Sequence, residues 1–232
     1  MKVILFGATG MVGQGVLREC LLDKDLEAVL AVGRAPTGQR HPKLREILHR
    51  DFGDVTPIED EFAGSDACFY CLGIASAGMS EEDYRRITYD YTMAAARSMA
   101  KLNPDMTFIY VSGAGTDSSE RGRSMWARVK GKTENALLEL PFRAYMFRPG
   151  YIQPMHGATS RTRLYRALYA VTTPLYPIIK RIIPTRVTTT EAIGRAMIEI
   201  AEHGAPKHVL ESPDINAVSA GPGRSAEPED GA

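Results

Sequence analysis

Short apolar runs alternate along this chain with longer stretches in which apolar residues recur at helical spacing. Residues 2–6, 28–32, 67–72, 106–111 and 143–147 read as strands, with a weaker one at 46–49. Residues 11–22, 81–102 and 126–140 carry the helical period, and Asn103-Pro104 stops the second of these. The strand runs are nearly unbroken in apolar character, as strands buried on both faces are. Strand and helix in regular alternation predict βαβ units, a parallel sheet and a doubly wound α/β fold.

The pattern changes after Gly150. Residues 151–186 hold four prolines among arginines and tyrosines with no clean period. They are expected to form a small helical cap, over 151–190, on the substrate side of a single domain spanning 1–211. Thr190 is expected to cap a helix running to about His203, with Ile193, Met197, Ile198 and Ala201 as its apolar stripe. Residues 209–211 read as a short last strand. Residues 212–232 are rich in Gly, Pro, Ser and acid, and a disordered tail is expected there.

The charge is balanced, with 28 Lys+Arg against 28 Asp+Glu in 232 residues, and 44% of the residues are hydrophobic. That is ordinary globular composition; it excludes collagen, coiled coil and a globally basic nucleic-acid binder. The uncharged stretch 167–179 is broken by Pro174 and Pro177 and falls short of the roughly 20 apolar residues a spanning helix needs. Neither a secretory signal nor a transmembrane segment is expected. Cys20, Cys68 and Cys71 are too few for a disulfide framework. Cys68 and Cys71 form C-x-x-C, but inside an apolar run, and so read as core thiols. A reduced, cytoplasmic setting is the expectation. The histidines are scattered without ligand spacing, and no metal is expected.

The first strand runs directly into Gly7-Ala8-Thr9-Gly10-Met11-Val12-Gly13 and then into a helix. G-x-x-G-x-x-G at that place is a phosphate cradle. Gly7 turns the chain off the strand, Gly10 lets backbone approach a pyrophosphate, and Gly13 lets the helix sit close to the sheet. Thr9, Met11 and Val12 lend backbone N–H groups at the positive end of the helix. At the end of strand two stands Val32-Gly33-Arg34, with no acid until Glu46. An arginine there favours a ribose 2′-phosphate by charge and fork geometry, which points to NADP(H) over NAD. Asp51-Phe52, after the weak third strand, suits the adenine edge.

By these residues the chain resembles the atypical or extended branch of the short-chain dehydrogenase/reductase superfamily, close to Tat-interacting-protein-like oxidoreductases and NAD-dependent epimerase/dehydratases. The resemblance continues through Cys71-Leu72-Gly73 after strand four and Tyr110-Val111-Ser112-Gly113 after strand five. It extends through Val129-Lys130-Gly131 on the next helix and Arg148-Pro149-Gly150 after strand six. It implies a Rossmann fold and a dinucleotide held by these segments, Lys130 included. It also implies a small-molecule substrate and a homodimer paired through helices 81–102 and 126–140. Active members use a Ser/Thr, a Tyr and a Lys, the last two as Y-x-x-x-K. Lys130 matches the lysine, but Trp126 stands where the tyrosine belongs. Indole N–H donates a hydrogen bond and does not titrate usefully. Ser112 matches a serine of the strand-five motif, with Gly113 as the other residue that could occupy the catalytic register. Tyr84, Tyr89, Tyr145 and Tyr151 could supply the missing proton, Tyr151 being best placed.

Between Glu139 and Glu191 there is no acidic residue, while Arg143, Arg148, Arg161, Arg163, Arg166, Lys180, Arg181 and Arg186 all lie there. In the bland reading these arginines pair with acids elsewhere. The alternatives are an anionic or lipid-like substrate, or peripheral membrane contact through 161–186, where tyrosine, aliphatic and basic residues mix. Two functions follow. One is an NADP(H)-dependent oxidoreductase acting on a small carbonyl compound. The other is a non-catalytic NADP(H)-binding sensor or scaffold that meets a membrane or partner through residues 143–186.

Overall fold

The computed structural model of the chain describes residues 1–159, 176 and 181–221. Seven parallel strands form one sheet: β1 (Lys2–Phe6), β2 (Ala28–Gly33), β3 (Leu44–Leu48), β4 (Ala67–Tyr70), β5 (Thr107–Val111), β6 (Arg143–Arg148) and β9 (Val209–Glu211). Their order is β3-β2-β1-β4-β5-β6-β9, so the winding reverses between β1 and β4. A second, two-stranded parallel sheet joins β7 (Tyr151–Gln153) to β8 (Val187–Thr189), a pair that the sequence pattern did not announce.

Side chains alternate across the large sheet. Val3, Leu5, Phe69, Ile109 and Phe147 point to one face, with α1 (Met11–Leu22) and α5 (Thr190–His203). Ile4, Phe6, Cys68, Tyr70, Phe108, Tyr110 and Met146 point to the other, with α3 (Tyr91–Leu102) and α4 (Met125–Leu138). Both faces are fully covered, which accounts for the unbroken apolar runs. Cys20 and Cys68 are buried in these cores, and all three thiols are free.

Several expectations are corrected. The helix expected over 81–102 is interrupted: α2 (Glu81–Arg85) passes through a π turn at Arg86–Asp90 before α3 begins. The cap of α5 is Thr189, whose hydroxyl accepts from Ala192 N at 2.9 Å, and not Thr190. Thr190 is instead buried, and its Oγ1 accepts from Met155 N at 3.0 Å. Most importantly, residues 212–220 do not form a disordered tail. They form α6 (Ser212–Ala220), started by a Glu211–Asp214 capping box, with Ile215 fully buried against the α1–α5 core. Residues 222–232 lie outside the described residues, as do 160–175 and 177–180, which make up most of the expected cap.

Candidate functional site

The glycine loop sits at the carboxyl end of β1, beside the point where the strand order reverses; this is where doubly wound sheets bind ligands. Gly7 adopts φ +81°, and a Cβ there would lie 2.7 Å from the Cys71 and Leu72 backbone. A Cβ at Gly13 would overlap the Gly7 carbonyl. The loops after β1 and β4 are therefore in contact, which brings Cys71, Leu72 and Gly73 beside the cradle. α1 starts at Gly10 with no side-chain cap and no acid in its first turn. Its leading N–H groups, on Met11 and Val12, carry a positive end that the chain itself does not neutralise. These residues fit a dinucleotide pyrophosphate, and a bound nicotinamide dinucleotide would supply the site with hydride chemistry.

Arg34 follows β2 and is exposed, with no ion pair among the described residues. Glu46, the next acid along the chain, turns to the loop beyond Arg34, where its Oε1 accepts from Thr37 N at 2.7 Å. Asp51 is exposed and caps its own turn through Gly53 N at 3.0 Å. The Phe52 side chain does not face a ligand. It is 3% exposed and packs edge-on to Phe6 with ring centroids 6.0 Å apart, so any contact from Phe52 to an adenine would come from its backbone.

A groove of about 570 Å³ leads from the glycine loop along the outer side of α1. Thr9, Gln14, Arg18, Thr37 and His156 are among its walls. Gln14, which sequence reasoning passed over, clips the loop before residue 160 to this region. Its Nε2 donates to the Thr9 and Thr159 carbonyls, and its Oε1 accepts from Thr159 N. His156 lines this groove from the opposite loop, and its Nε2 meets Glu191 at 2.7 Å.

Just past the end of β5, two of the sequence-predicted catalytic residues, Ser112 and Lys130 of α4, are brought together. Ser112 is buried, and its hydroxyl donates to the Phe147 carbonyl of the neighbouring strand at 3.0 Å. Gly113 has φ +153°, a conformation in which a serine would be strained. Lys130 reaches the same spot from α4, its ammonium donating to the Ser112 carbonyl. Desolvation pulls that ammonium down to about 8, and Glu134 one turn along the helix acts to raise it. A Cβ at Gly131 would overlap the Asp117 carbonyl, so the glycine after Lys130 lets the loop following β5 lie flat on α4. Trp126 packs over that loop, its ring 3.6 Å from where a Cβ on Gly115 would stand. Tyr151 opens β7, and its hydroxyl donates to Gln153 Oε1 at 3.0 Å along its own strand.

Arg148 is not turned toward a ligand. Its Nε donates to both oxygens of Glu134, at 3.0 and 3.1 Å, and its Nη2 donates to Glu134 and to Ser118 Oγ. Glu134 is 1% exposed, and this buried partner was missed in the sequence because 14 residues separate the two. Pro149 offers its carbonyl to Ala114 N at 2.9 Å. Gly150 donates from its N–H to Ser212 Oγ and leaves no room for a Cβ beside the Arg186 carbonyl. The Arg148-Pro149-Gly150 run thus binds strands, loops and α6 together. Any cofactor contact from it would rest on the backbone.

A model of the NAD dependent epimerase/dehydratase family matches residues 3–123. The chain belongs to that family. It is 28% identical over 162 residues to protein FMP52, mitochondrial, of Meyerozyma guilliermondii, covering 66% of this chain and 65% of that one. It is 26% identical over 146 residues to leucinostatins biosynthesis cluster protein T of Purpureocillium lilacinum, covering 60% of this chain and 52% of that one. The chain thus spans just under two thirds of the first relative's length and about half of the second's. Among solved structures, MoeE5 in complex with UDP-glucuronic acid and NAD superposes with a TM-score of 0.67 at 17% identity, over 91% of this chain and 76% of that one. UDP-glucose 4-epimerase of Thermotoga maritima gives 0.65 at 13%, over 95% and 82%. These share the Rossmann fold with this chain. The expectation of a cytoplasmic setting is overturned by the relatives, since the FMP52 proteins of M. guilliermondii and Debaryomyces hansenii are named mitochondrial.

Proposed function

We propose that this chain binds NADP(H) and acts as an oxidoreductase on a small carbonyl compound, anionic or lipid-like in character. The observation that carries the reading is Arg34: an exposed guanidinium beside a glycine cradle, with no acidic side chain among the described residues paired to it. A 2′-phosphate gives that charge a partner, and a bare ribose does not. Gly7, Thr9, Gly10, Met11, Val12 and Gly13 would hold the pyrophosphate, and Lys130 the ribose nearer the nicotinamide. The setting suggested by the relatives' names is mitochondrial. Calorimetric titration of the cofactor-stripped protein with NADPH and NADH tests the preference. Binding of NADPH at least tenfold tighter, about 1.4 kcal/mol, supports it. Equal affinities would remove Arg34 as the phosphate reader.

A second reading rests on Trp126 and Ser112. With the usual tyrosine replaced and the serine hydroxyl committed to Phe147, the chain would bind NADP(H) without turnover. Such a sensor would use the acid-free segment to meet a membrane or partner. Of 161–186, the described residues include Arg181, Ile182, Ile183 and Arg186, all exposed. Absence of any hydride transfer from bound NADPH across a panel of aldehydes and ketones would favour this reading.

A further inference from the structure

Both ends of the Thr9–Gly10 peptide are tied. Its N–H, on Gly10, donates to the Gly7 carbonyl at 2.9 Å. Its carbonyl, on Thr9, accepts from Gln14 Nε2 at 3.1 Å. Gln14 stands half-buried in the first turn of α1, where its backbone N–H donates to the Gly10 carbonyl at 2.8 Å and its side chain folds back over the loop. The same carboxamide reaches the loop after β7 with two further bonds. Nε2 donates to the Thr159 carbonyl at 3.0 Å, and Oε1 accepts from Thr159 N at 3.2 Å. Both amide hydrogens and the oxygen are in use, and only this orientation of the group matches its partners. His156 and Gly157 bend the loop, with left-handed φ values of +53° and +78°. Its start is fixed to α5, through Met155 N on Thr190 Oγ1 and His156 Nε2 against Glu191. One side chain of α1 therefore joins the glycine loop to a loop from the far half of the sequence.

We propose that Gln14 is a positioning residue for anion binding in the glycine loop: it holds the Thr9 carbonyl toward the flank of α1 and seats the loop after β7 on that peptide. With glycine on its C-terminal side, the Thr9–Gly10 peptide has little orientation of its own. A carbonyl turned toward a pyrophosphate would repel it and cancel part of the positive end of α1. Gln14 touches no reacting atom and acts through the Thr9 backbone. The proposal rests on the dinucleotide reading for the identity of the anion.

The test compares the whole chain with Gln14→Met, which keeps the length of the side chain and loses its hydrogen bonds to Thr9 and Thr159. Exchange of the Thr159 amide, followed by NMR, reports the clip, and calorimetry with NADPH and NADH reports the cradle. In Gln14→Met the amide is expected to exchange about tenfold faster, and both nucleotides to bind about fivefold more weakly. The two losses should be equal, because the pyrophosphate is common to both. Faster exchange with both affinities unmoved overturns the proposal and leaves Gln14 a clasp for the loop only. Unequal losses overturn it as well, since they place the effect at the ribose phosphate and not in the cradle. Should Gln14→Met fail to fold, Gln14→Asn takes its place, with a carboxamide one methylene too short to span both carbonyls and the same expectations. If the parent binds neither nucleotide, the dinucleotide reading falls, and inorganic pyrophosphate titrated into both proteins decides for Gln14. A loss of about fivefold in the variant supports the proposal; equal binding, or none to the parent, ends it.

Discussion

The Ser112 hydroxyl donates to the Phe147 carbonyl, 3.0 Å away on the adjacent strand, and so reinforces the β5–β6 pairing where Ser112 N already donates to the same oxygen at 2.8 Å. Ser112→Ala should then cost stability, on the order of 1 kcal/mol for one lost buried hydrogen bond. NADPH affinity should stay within about twofold of the parent, since twofold is only about 0.4 kcal/mol. Urea unfolding and calorimetry on the same samples measure both. A variant as stable as the parent that no longer turns over would return Ser112 to the catalytic set.

Trp126 occupies the place of an acid that titrates, next to a lysine that still carries its proton. Trp126→Tyr restores a hydroxyl within that arrangement, and reduction of generic aldehydes by NADPH should rise by at least tenfold, worth about 1.4 kcal/mol in the barrier. Steady-state rates before and after the exchange give the answer. No change would mean that the crevice no longer admits a carbonyl compound.

Arg34→Ala should weaken NADPH binding by about tenfold or more, while NADH affinity barely moves. The NADPH difference should also shrink with added salt, because the contact is an exposed charge pair. Equal losses for both nucleotides would point to damage of the loop rather than to loss of a phosphate contact.

Lys130 has an ordinary value of 10.5 and is pulled down to about 8 in the fold. Between those values the unfolded chain holds a proton that the folded chain has released, so the site's contribution to stability rises with pH across that window. Below about 8 both forms are protonated, and the cost of sheltering the ammonium is fully present. Lys130→Met removes the cost. Its stability advantage over the parent should therefore narrow as pH rises from 7.5 towards 10, which chemical denaturation at several pH values can follow. NADPH binding by the parent should weaken over the same rise, as the cationic donor disappears.

Ile215 is fully buried where α6 meets the α1–α5 core. Ile215→Ala should cost about 2–5 kcal/mol, as large-to-small changes in a core do. Ending the chain after residue 211 should be at least as damaging. Thermal melts that match the parent would make α6 an ornament to the fold.

The β1 strand, its glycine loop and the unbroken apolar runs were legible in the sequence because each is a local signal: a period, a run or a spacing of glycines. α6 was also written locally, in Glu211-Ser212-Pro213-Asp214 with Ile215 and Val218 behind it. The weight of Gly, Pro, Ser and acid in the following residues masked that short cap. The π turn at Arg86–Asp90 adds about one residue to a turn, but α2 before it holds too few apolar positions for that phase shift to show in the pattern. The roles of Glu134, Arg148 and Ser112 were out of reach for a different reason. Each depends on which strand end faces which helix turn, and a chain read in one dimension holds no such pairing.

The pairing of β6 with β9 has a consequence for how the sheet comes into being. Arg148 lies against Glu211, and the chain between them leaves the sheet and returns. Closing so long an excursion brings high contact order and a slow final step. While the chain is being synthesised, β6 must wait as an open edge, its outer amides unpaired, until the last strand emerges. The nascent protein is therefore most exposed to misassociation along the very strand that carries Arg148, and chaperone demand should peak in that interval.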